Sequence, residues 1–394
     1  MKKTIDIITS LFVFVVMMDP ADNILKLKIP LFILLFLLLL FKHKYISATA
    51  VRIIIIIYSI CLITNVLGLL RGIDTDVNFA LSIYKGFLMI LLLLWTNEIK
   101  IIQYLNFPTV LVSFIVVLIF IFMKFFPEIN NLTYLYVDNY DLPIKIANRT
   151  FIGVDLLSVF YKTSPLCIFV AGVYLQKLMK NEGNRFTNFF MYTCAISVLI
   201  ISGTRMNILS AFVITGFIII MKTWNSHYGK FIAGIISFVG FIAILIIINM
   251  LINDRGEHSL EIKQTLSLAF QQQVFKDPLL LLIGEGPGAT FDSLGIRGKN
   301  EVISELTYLD LIRWFGVPFT VIIILIYLYP VARIYKKRKK LNLSSVLTIS
   351  YFLYLLIAGT NPILISSTGM LALLIMYTYA FNPTYESKES IVIE

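Results

Sequence analysis

Charged residues are scarce in this chain. Asp, Glu, Lys and Arg make up only 14% of its 394 residues, whereas a soluble globular protein carries about 25%. This scarcity excludes an ordinary water-soluble domain. Hydrophobic residues reach 58%, and the mean hydropathy is +0.87. Apolar runs of about 20 residues recur, and each can cross a hydrocarbon core of ~30 Å. The sequence predicts an all-α, polytopic integral membrane protein with a single transmembrane domain over residues 1–394.

Cysteine and histidine are equally sparse, with three of each. Cys61, Cys167 and Cys194 all lie within apolar runs, which favours small core side chains over a disulfide or metal set. The histidines lie far apart, and no HxxxH or CxxC pattern is present. We therefore expect no bound metal and no cofactor. The net charge of +10 is explained by the loops, so nucleic acid is not an expected partner.

Hydropathy predicts about twelve membrane-spanning helices. Their approximate ranges are 7–18, 29–41, 50–70, 79–95, 107–126, 159–175, 189–201, 207–221, 231–252, 306–329, 346–358 and 363–381. The first two are short. Membrane lipid is accordingly an expected partner of the whole chain.

The distribution of Lys and Arg predicts the orientation of these helices. With residue 1 inside, the cytoplasmic segments carry a large excess of basic residues, and the opposite segments are nearly balanced. Both termini are then cytoplasmic, and two enlarged loops, about 127–158 and 253–305, are extracytoplasmic. Lys26 and Lys28 break this pattern because they fall outside. Lys85 is unusual for another reason, since it is a cation within the fourth span that could reach either a partner carboxylate or the interface.

The loop 253–305 is the longest polar interval of the chain. Apolar residues at helical spacing between Ser259 and Val274 predict an amphipathic helix on the outer leaflet or over a cavity, ended by Pro278. The glycine cluster Gly284–Gly288 predicts a tight turn, because glycine tolerates positive φ and close backbone approach. It is a poor phosphate loop, since no GK[ST] follows it.

Charged residues follow this loop into the tenth span. Asp310 and Arg313 are spaced i, i+3 on a helix and are expected to pair. An unpaired charge at this depth costs about 2.5–3.5 kcal/mol on insertion scales, so the pair should face the protein interior or a wet cavity. A structural salt bridge and a ligand-binding role both remain open. Glu305 lies at the water boundary, where it suits a general base or an acceptor for a sugar hydroxyl.

Three arginines stand at predicted outer ends of helices. Arg205 lies at the tight junction of spans seven and eight, Arg149 precedes span six, and Arg255 follows span nine. Each is either an interfacial anchor or solvated cation, or a guanidinium that grips a phosphate through bidentate contacts. Together they would form a collar for a lipid-linked diphosphate.

The pattern resembles the O-antigen polymerase family, within the polymerase and ligase group of bacterial envelope proteins. The segments Ser202–Asn207, Gly284–Gly288 and Glu305–Asp310, with Phe315 and Gly316, carry the resemblance locally. The number of spans, the cytoplasmic ends and the two enlarged outer loops carry it over the whole chain.

The resemblance implies a metal-independent, glycosyltransferase-type polymerase of the bacterial inner membrane. Such an enzyme joins undecaprenyl-diphosphate-linked oligosaccharide repeat units into O-antigen or capsular polysaccharide at the outer face. A chain-length regulator and a flippase are the protein partners that it implies. Under this interpretation Arg205 and Glu305 are catalytic. The expected substrate-binding residues are Arg149, Arg205, Arg255, Tyr308, Asp310 and Arg313.

Two other functions remain open from the sequence. An O-antigen ligase would transfer finished polymer to lipid A core, but ligases of the group usually carry a histidine near the end of the long loop, where this chain has Glu305. A transporter or flippase often has symmetric halves, and the sequence contains no internal repeat.

Overall fold

Helices form most of the described part of the chain in the computed structural model. The structure describes residues 2–42, 46–96, 99, 101–126, 128, 130–140, 142–151, 154–224, 230–231, 234–235, 258–294, 301–304, 306–337 and 343–381. The first helices are α1 (Lys2–Met18), α2 (Lys28–Lys42), α3 (Ala48–Leu70), α4 (Val77–Leu88, continued as a 3₁₀ helix over Met89–Trp95), α5 (Asn106–Phe125) and α6 (Asn130–Asn139). After a hairpin come α7 (Cys167–Lys180), α8 (Arg185–Ile201), α9 (Arg205–Thr223), α10 (His258–Lys276), α11 (Leu280–Ile283), α12 (Thr307–Lys337), α13 (Leu343–Gly359) and α14 (Ser367–Phe381).

Several of these helices are apolar enough to cross a membrane. Five have the necessary length as well: Ala48–Leu70, Val77–Trp95, Ile102–Phe125, Arg205–Thr223 and Thr307–Lys336. Three shorter apolar helices are Arg185–Ile201, Ser345–Gly359 and Ser367–Phe381. These features indicate a multi-pass membrane protein. Each predicted span except the ninth overlaps a described helix, and the ninth lies largely outside the described residues.

A β-hairpin interrupts the helices within the first enlarged loop. Strands β1 (Ile144–Phe151) and β2 (Val154–Tyr161) pair antiparallel, with Ile144 opposite Tyr161. The described part of the chain is mostly helical, as the sequence predicts, but this hairpin was not predicted and the predicted sixth span begins too early. Its first residues, including the buried Val159, belong to β2, and the helix itself begins only at Cys167.

The longest helix, α12, is broken near its start. Gly316 has a φ of 72°, and Pro318 follows it without an N–H group to donate. The carbonyls of Arg313 and Trp314 at this break accept hydrogen bonds from the backbone N–H groups of Glu285 and Gly286, at 2.8 and 2.9 Å. The predicted glycine turn therefore supplies the backbone pairing that the helix lacks.

A second proline lies further along α12. Pro330 leaves the carbonyl of Ile326 without its helical donor. The hydroxyl of Tyr377 in α14 donates to that carbonyl at 2.9 Å. Because Tyr377 is buried, this bond pairs two polar groups that would otherwise be unsatisfied in an apolar core.

The glycine turn is wedged between three helices. Gly284, Gly286 and Gly288 all have positive φ, as the sequence predicts for a tight turn. A Cβ at Gly286 would lie 2.5 Å from Asn65 Oδ1 in α3, and one at Gly288 would lie 2.7 Å from the carbonyl oxygen of Asp76, which caps α4. Because these three positions are glycines without side chains, the turn can pack closely against the helices.

The predicted amphipathic helix is present as α10. Its buried face includes Leu266 and Ala269, which pack against Phe291 from the segment that follows the glycine turn. The helix ends at Lys276, two residues before Pro278. Within the described residues, the apolar face of this helix therefore packs against another part of the same loop.

We expect Gly284→Ala to lower the apparent unfolding temperature in detergent much more than Gly72→Ala. Both glycines have a φ of +68°, so an alanine at either position adopts a strained backbone conformation that costs about 1–3 kcal/mol. A Cβ at Gly284 would also lie 2.6 Å from the backbone nitrogen of Phe315, whereas nothing lies within 4 Å of one at Gly72. This overpacking should add about 1–3 kcal/mol. Equal losses in the two variants would contradict the wedged position of the turn.

Candidate functional site

Most of the predicted extracytoplasmic segments meet at one end of the bundle. Thr75, between α3 and α4, forms a β-bridge with Ala289 of the long loop. Ser367, at the start of α14, donates to the carbonyl of Pro20 between α1 and α2, at 2.7 Å. We call this assembly, built from residues 19–27, 71–76, 277–294, 301–304 and 360–366 with the adjoining helix ends, the loop-rich end.

Asp310 and Arg313 form the predicted ion pair within the first turns of α12. The distance from Arg313 Nη2 to Asp310 Oδ1 is 3.4 Å, and each residue is only 1% exposed. The backbone N–H of Ser304 donates to both carboxylate oxygens of Asp310, at 3.1 and 3.0 Å. The predictions that these charges pair and face the protein interior are therefore confirmed.

The guanidinium of Arg313 also holds the long loop. It donates to the carbonyl oxygens of Ala289, at 2.6 Å, and of Val302. It lies 4.5 Å from the centre of the Phe291 ring, within the range of a cation–π contact. These contacts give Arg313 a structural role, since they fasten both ends of the described loop segment to α12. Substrate binding by Arg313 stays a prediction.

A second charged group lies in the glycine turn. Glu285 is buried, and Gln273 Nε2 of α10 donates to both of its carboxylate oxygens, each at 2.8 Å. Burial raises the pKa of Glu285, while the positive charges of Arg313 and Arg71 and the Gln273 hydrogen bond oppose that rise. From the sequence, Glu285 was expected only to be part of a turn.

Arg71 fastens the same segment from the other side. It follows the last residue of α3, and its guanidinium donates to the carbonyl of Gly284 at 2.6 Å and to the carboxylate of Asp277. Sequence reasoning missed this contact. The one available signal was the position of Arg71 directly after an apolar helix, next to a predicted outer loop.

A cavity of about 540 Å³ opens at the loop-rich end. Its walls come from the α1–α2 connection, α4, the start of α12 and the turn before α14. Four charged residues line it: Asp22, Lys28, Lys85 and Asp310. The aromatic pair Phe79 and Trp314, with ring centroids 5.8 Å apart, forms part of the wall. This cavity combines charge, hydroxyl groups and aromatic surface, which is the usual character of a ligand site.

The structure brings together only some of the predicted site residues. Asp310 lines the cavity, and Arg313 pairs with Asp310 behind it without lining the cavity itself. Tyr308 lies close to α13 and donates to the carbonyl of Leu355 at 2.9 Å. Arg205 is the first residue of α9, beside a junction where Gly203 approaches Ser158 of β2. Among the described residues, Arg205 is not part of the cavity lining.

The structure describes the remaining predicted site residues only in part or not at all. Arg149 lies in β1, where its backbone pairs with Leu156. Arg255 and Glu305 lie outside the described residues. Their expected convergence with Arg205 stays a prediction.

No family model, curated protein or solved structure matches this chain significantly. The resemblance to O-antigen polymerases therefore stays an expectation from the sequence.

We expect Arg313→Gln to destabilise the protein by about 3–5 kcal/mol, because it leaves the buried Asp310 charge without its partner. Lys180→Gln is a matched control. Lys180 and Glu182 form an ion pair at 3.8 Å, with side chains 44% and 55% exposed, and such a pair contributes at most about 1 kcal/mol. Thermal unfolding in detergent and limited proteolysis of residues 277–304 would measure the difference. A stable Arg313→Gln variant that resists proteolysis would argue against the role of Arg313 in fastening the loop to α12.

We expect stability to fall as pH rises above about 4.5, in part because of Glu285. Its folded pKa lies above the ordinary value of 4.5, so the unfolded chain loses this proton first. Protonated Glu285 therefore contributes its full stabilisation below pH 4.5, and this stabilisation is lost as the pH rises through the pKa of the folded protein. Glu285→Gln should flatten this decline in unfolding temperature, while the exposed Glu182→Gln should keep the wild-type slope. An unchanged slope in Glu285→Gln would assign the decline to another group.

Proposed function

We propose that this protein polymerises lipid-linked oligosaccharide repeat units at the outer face of a bacterial inner membrane. The observation that supports this best is the cavity at the loop-rich end, where Asp22, Lys28, Lys85 and Asp310 line a partly apolar space. A saccharide carried on a lipid diphosphate keeps its reacting groups at the membrane surface. A charged cavity at the ends of apolar helices suits such a substrate.

The proposed topology has twelve spans, two cytoplasmic termini and both enlarged loops outside. It is supported by the contacts at the loop-rich end, because segments predicted to share one side of the membrane touch one another. The connection after α3 meets the long loop, and the turn before α14 meets the α1–α2 connection. A chain-length regulator and a flippase remain candidate partners under this proposal.

The proposed reaction is a glycosyl transfer between two lipid-linked saccharides. A hydroxyl oxygen of the acceptor sugar attacks the anomeric carbon of the donor. The bond from that carbon to the diphosphate oxygen breaks, and the lipid diphosphate leaves with the electron pair. Glu305 is the proposed base that takes the hydroxyl proton. Fixed cations, Arg205 among them, would stabilise the negative charge that develops on the leaving group.

Asp310 fits an orienting role in this reaction. Its carboxylate accepts hydrogen bonds from Ser304 and Arg313, and both partners hold it rigidly at the cavity wall. A carboxylate has about four lone-pair sites, so one remains for a sugar hydroxyl. Rigid placement of such a group favours a defined acceptor orientation.

Deletion of the gene in its native host should leave single repeat units on the lipid acceptor, because polymer elongation is lost. Long polymer that stays attached to its lipid carrier would instead indicate a ligase. Unchanged surface polysaccharide would contradict both transferase functions. Gel electrophoresis of extracted surface polysaccharide measures chain length directly.

Arg205→Ala should shorten the polymer at a normal protein level. Arg185→Ala is the matched control, since each arginine is the first residue of its helix, at opposite ends of the adjacent α8 and α9. The control should leave chain length unchanged because Arg185 lies on the predicted cytoplasmic side. Continued long polymer in Arg205→Ala would refute a role of this residue at the diphosphate.

A further inference from the structure

Two lysines that depart from the predicted charge pattern line the same cavity. Lys28 is the first residue of α2 and lies on the predicted outer side, and Lys85 lies in the last turn of α4. Each was exceptional in the sequence for a different reason. Their presence around one cavity gives the two exceptions a common explanation.

The hydrogen-bond donors of the cavity divide into two groups. Four hydroxyl groups of the lining already donate to backbone carbonyls at 2.6–2.8 Å: those of Ser82, Thr307, Ser366 and Ser367. Lys28 uses one of its three N–H bonds on the carbonyl of Pro20, at 2.8 Å. Lys85 has no hydrogen bond or ion pair with any residue that the structure describes. The charged donors that remain uncommitted are therefore the two ammonium groups, and the buried indole N–H of Trp314 also has no partner among the described residues.

The carboxylates of the lining are better supplied with partners. Asp310 accepts from Ser304 and Arg313. Asp22 Oδ1 accepts the backbone N–H of Lys28, at 3.0 Å. The cavity thus contains donors that lack acceptors, and a phosphate group supplies several charged acceptor oxygens.

The two ammonium groups also act on each other. Burial lowers the pKa of Lys28 and the charge of Lys85 lowers it further, against the raising effects of Asp22 and Asp19. An anion between the lysines would replace this repulsion by attraction.

Much of the remaining wall is apolar. Ile29, Phe79, Ile83 and Ile365 line the same space as the lysines. A small hydrophilic anion would leave this surface in contact with water. A ligand that carries both a phosphate and a hydrocarbon chain would cover it.

We propose that this cavity binds the phosphate-bearing head group of a lipid between Lys28 and Lys85. A lipid diphosphate would satisfy the site. The assignment depends on the cavity alone, so it would stand even if the protein catalysed a different reaction.

The test is calorimetric titration of the purified full-length protein in neutral detergent with farnesyl diphosphate. Loss of a hydrogen bond to a charged group costs about 1.5–3 kcal/mol, so Lys28→Gln and Lys85→Gln should each weaken binding about tenfold or more. Lys26→Gln is the matched control, because Lys26 lies in the same connection but does not line the cavity. Lys85→Arg should retain most of the affinity. Thermal unfolding of each variant checks that it is folded.

Three results would overturn the proposal. Equal affinity for farnesol would show that the phosphate is not recognised. Equal affinity for inorganic pyrophosphate would show that the lipid chain does not contribute to binding and would indicate a free phosphate ligand. Losses in the two cavity variants no larger than in Lys26→Gln would exclude the lysine pair. Lysine-dependent binding together with unchanged polysaccharide in the deletion strain would keep the site and refute only the polymerase function.

Discussion

Two backbone carbonyls at the break in α12 determine how this end of the protein is built. An unpaired carbonyl away from water costs several kcal/mol in an apolar environment, and the break at Gly316 and Pro318 exposes those of Arg313 and Trp314. The N–H groups of Glu285 and Gly286 satisfy both. The long loop is therefore a structural part of the bundle rather than an appendage, and the cavity wall at Trp314 depends on this pairing.

Two ion pairs then fix the loop in place, the buried Asp310–Arg313 pair and the partly exposed Arg71–Asp277 pair. Arg71 and Arg313 reach the segment from α3 and α12, and each combines one carboxylate with at least one loop carbonyl. Buried ion pairs are weak sources of stability but strong penalties when one partner is lost. Here they restrict the loop to a single arrangement. A ligand at the cavity would meet groups that are already oriented, which favours both affinity and selectivity.

Sequence reasoning predicted the local features well and the distant contacts poorly. The Asp310–Arg313 pair follows from helical spacing, and the turn at Gly284 follows from its glycines. The hairpin was missed because the apolar residues of β2 run almost directly into those of α7, so a hydropathy window cannot separate them. The contact of Arg71 with Asp277 spans 206 residues, and no local pattern reports such a pairing.

Each proline of α12 leaves one carbonyl of the helix without a donor. The two carbonyls gain their partners at different stages of synthesis. The donor for Trp314, Gly286, has already been synthesised when Pro318 is added, so the first break can close as soon as the helix forms. The carbonyl of Ile326 must wait for Tyr377, which is made about fifty residues later. Until α14 arrives, the second half of α12 is an incomplete helix in the membrane. Insertion of the last helix thus completes the backbone pairing of one that precedes it.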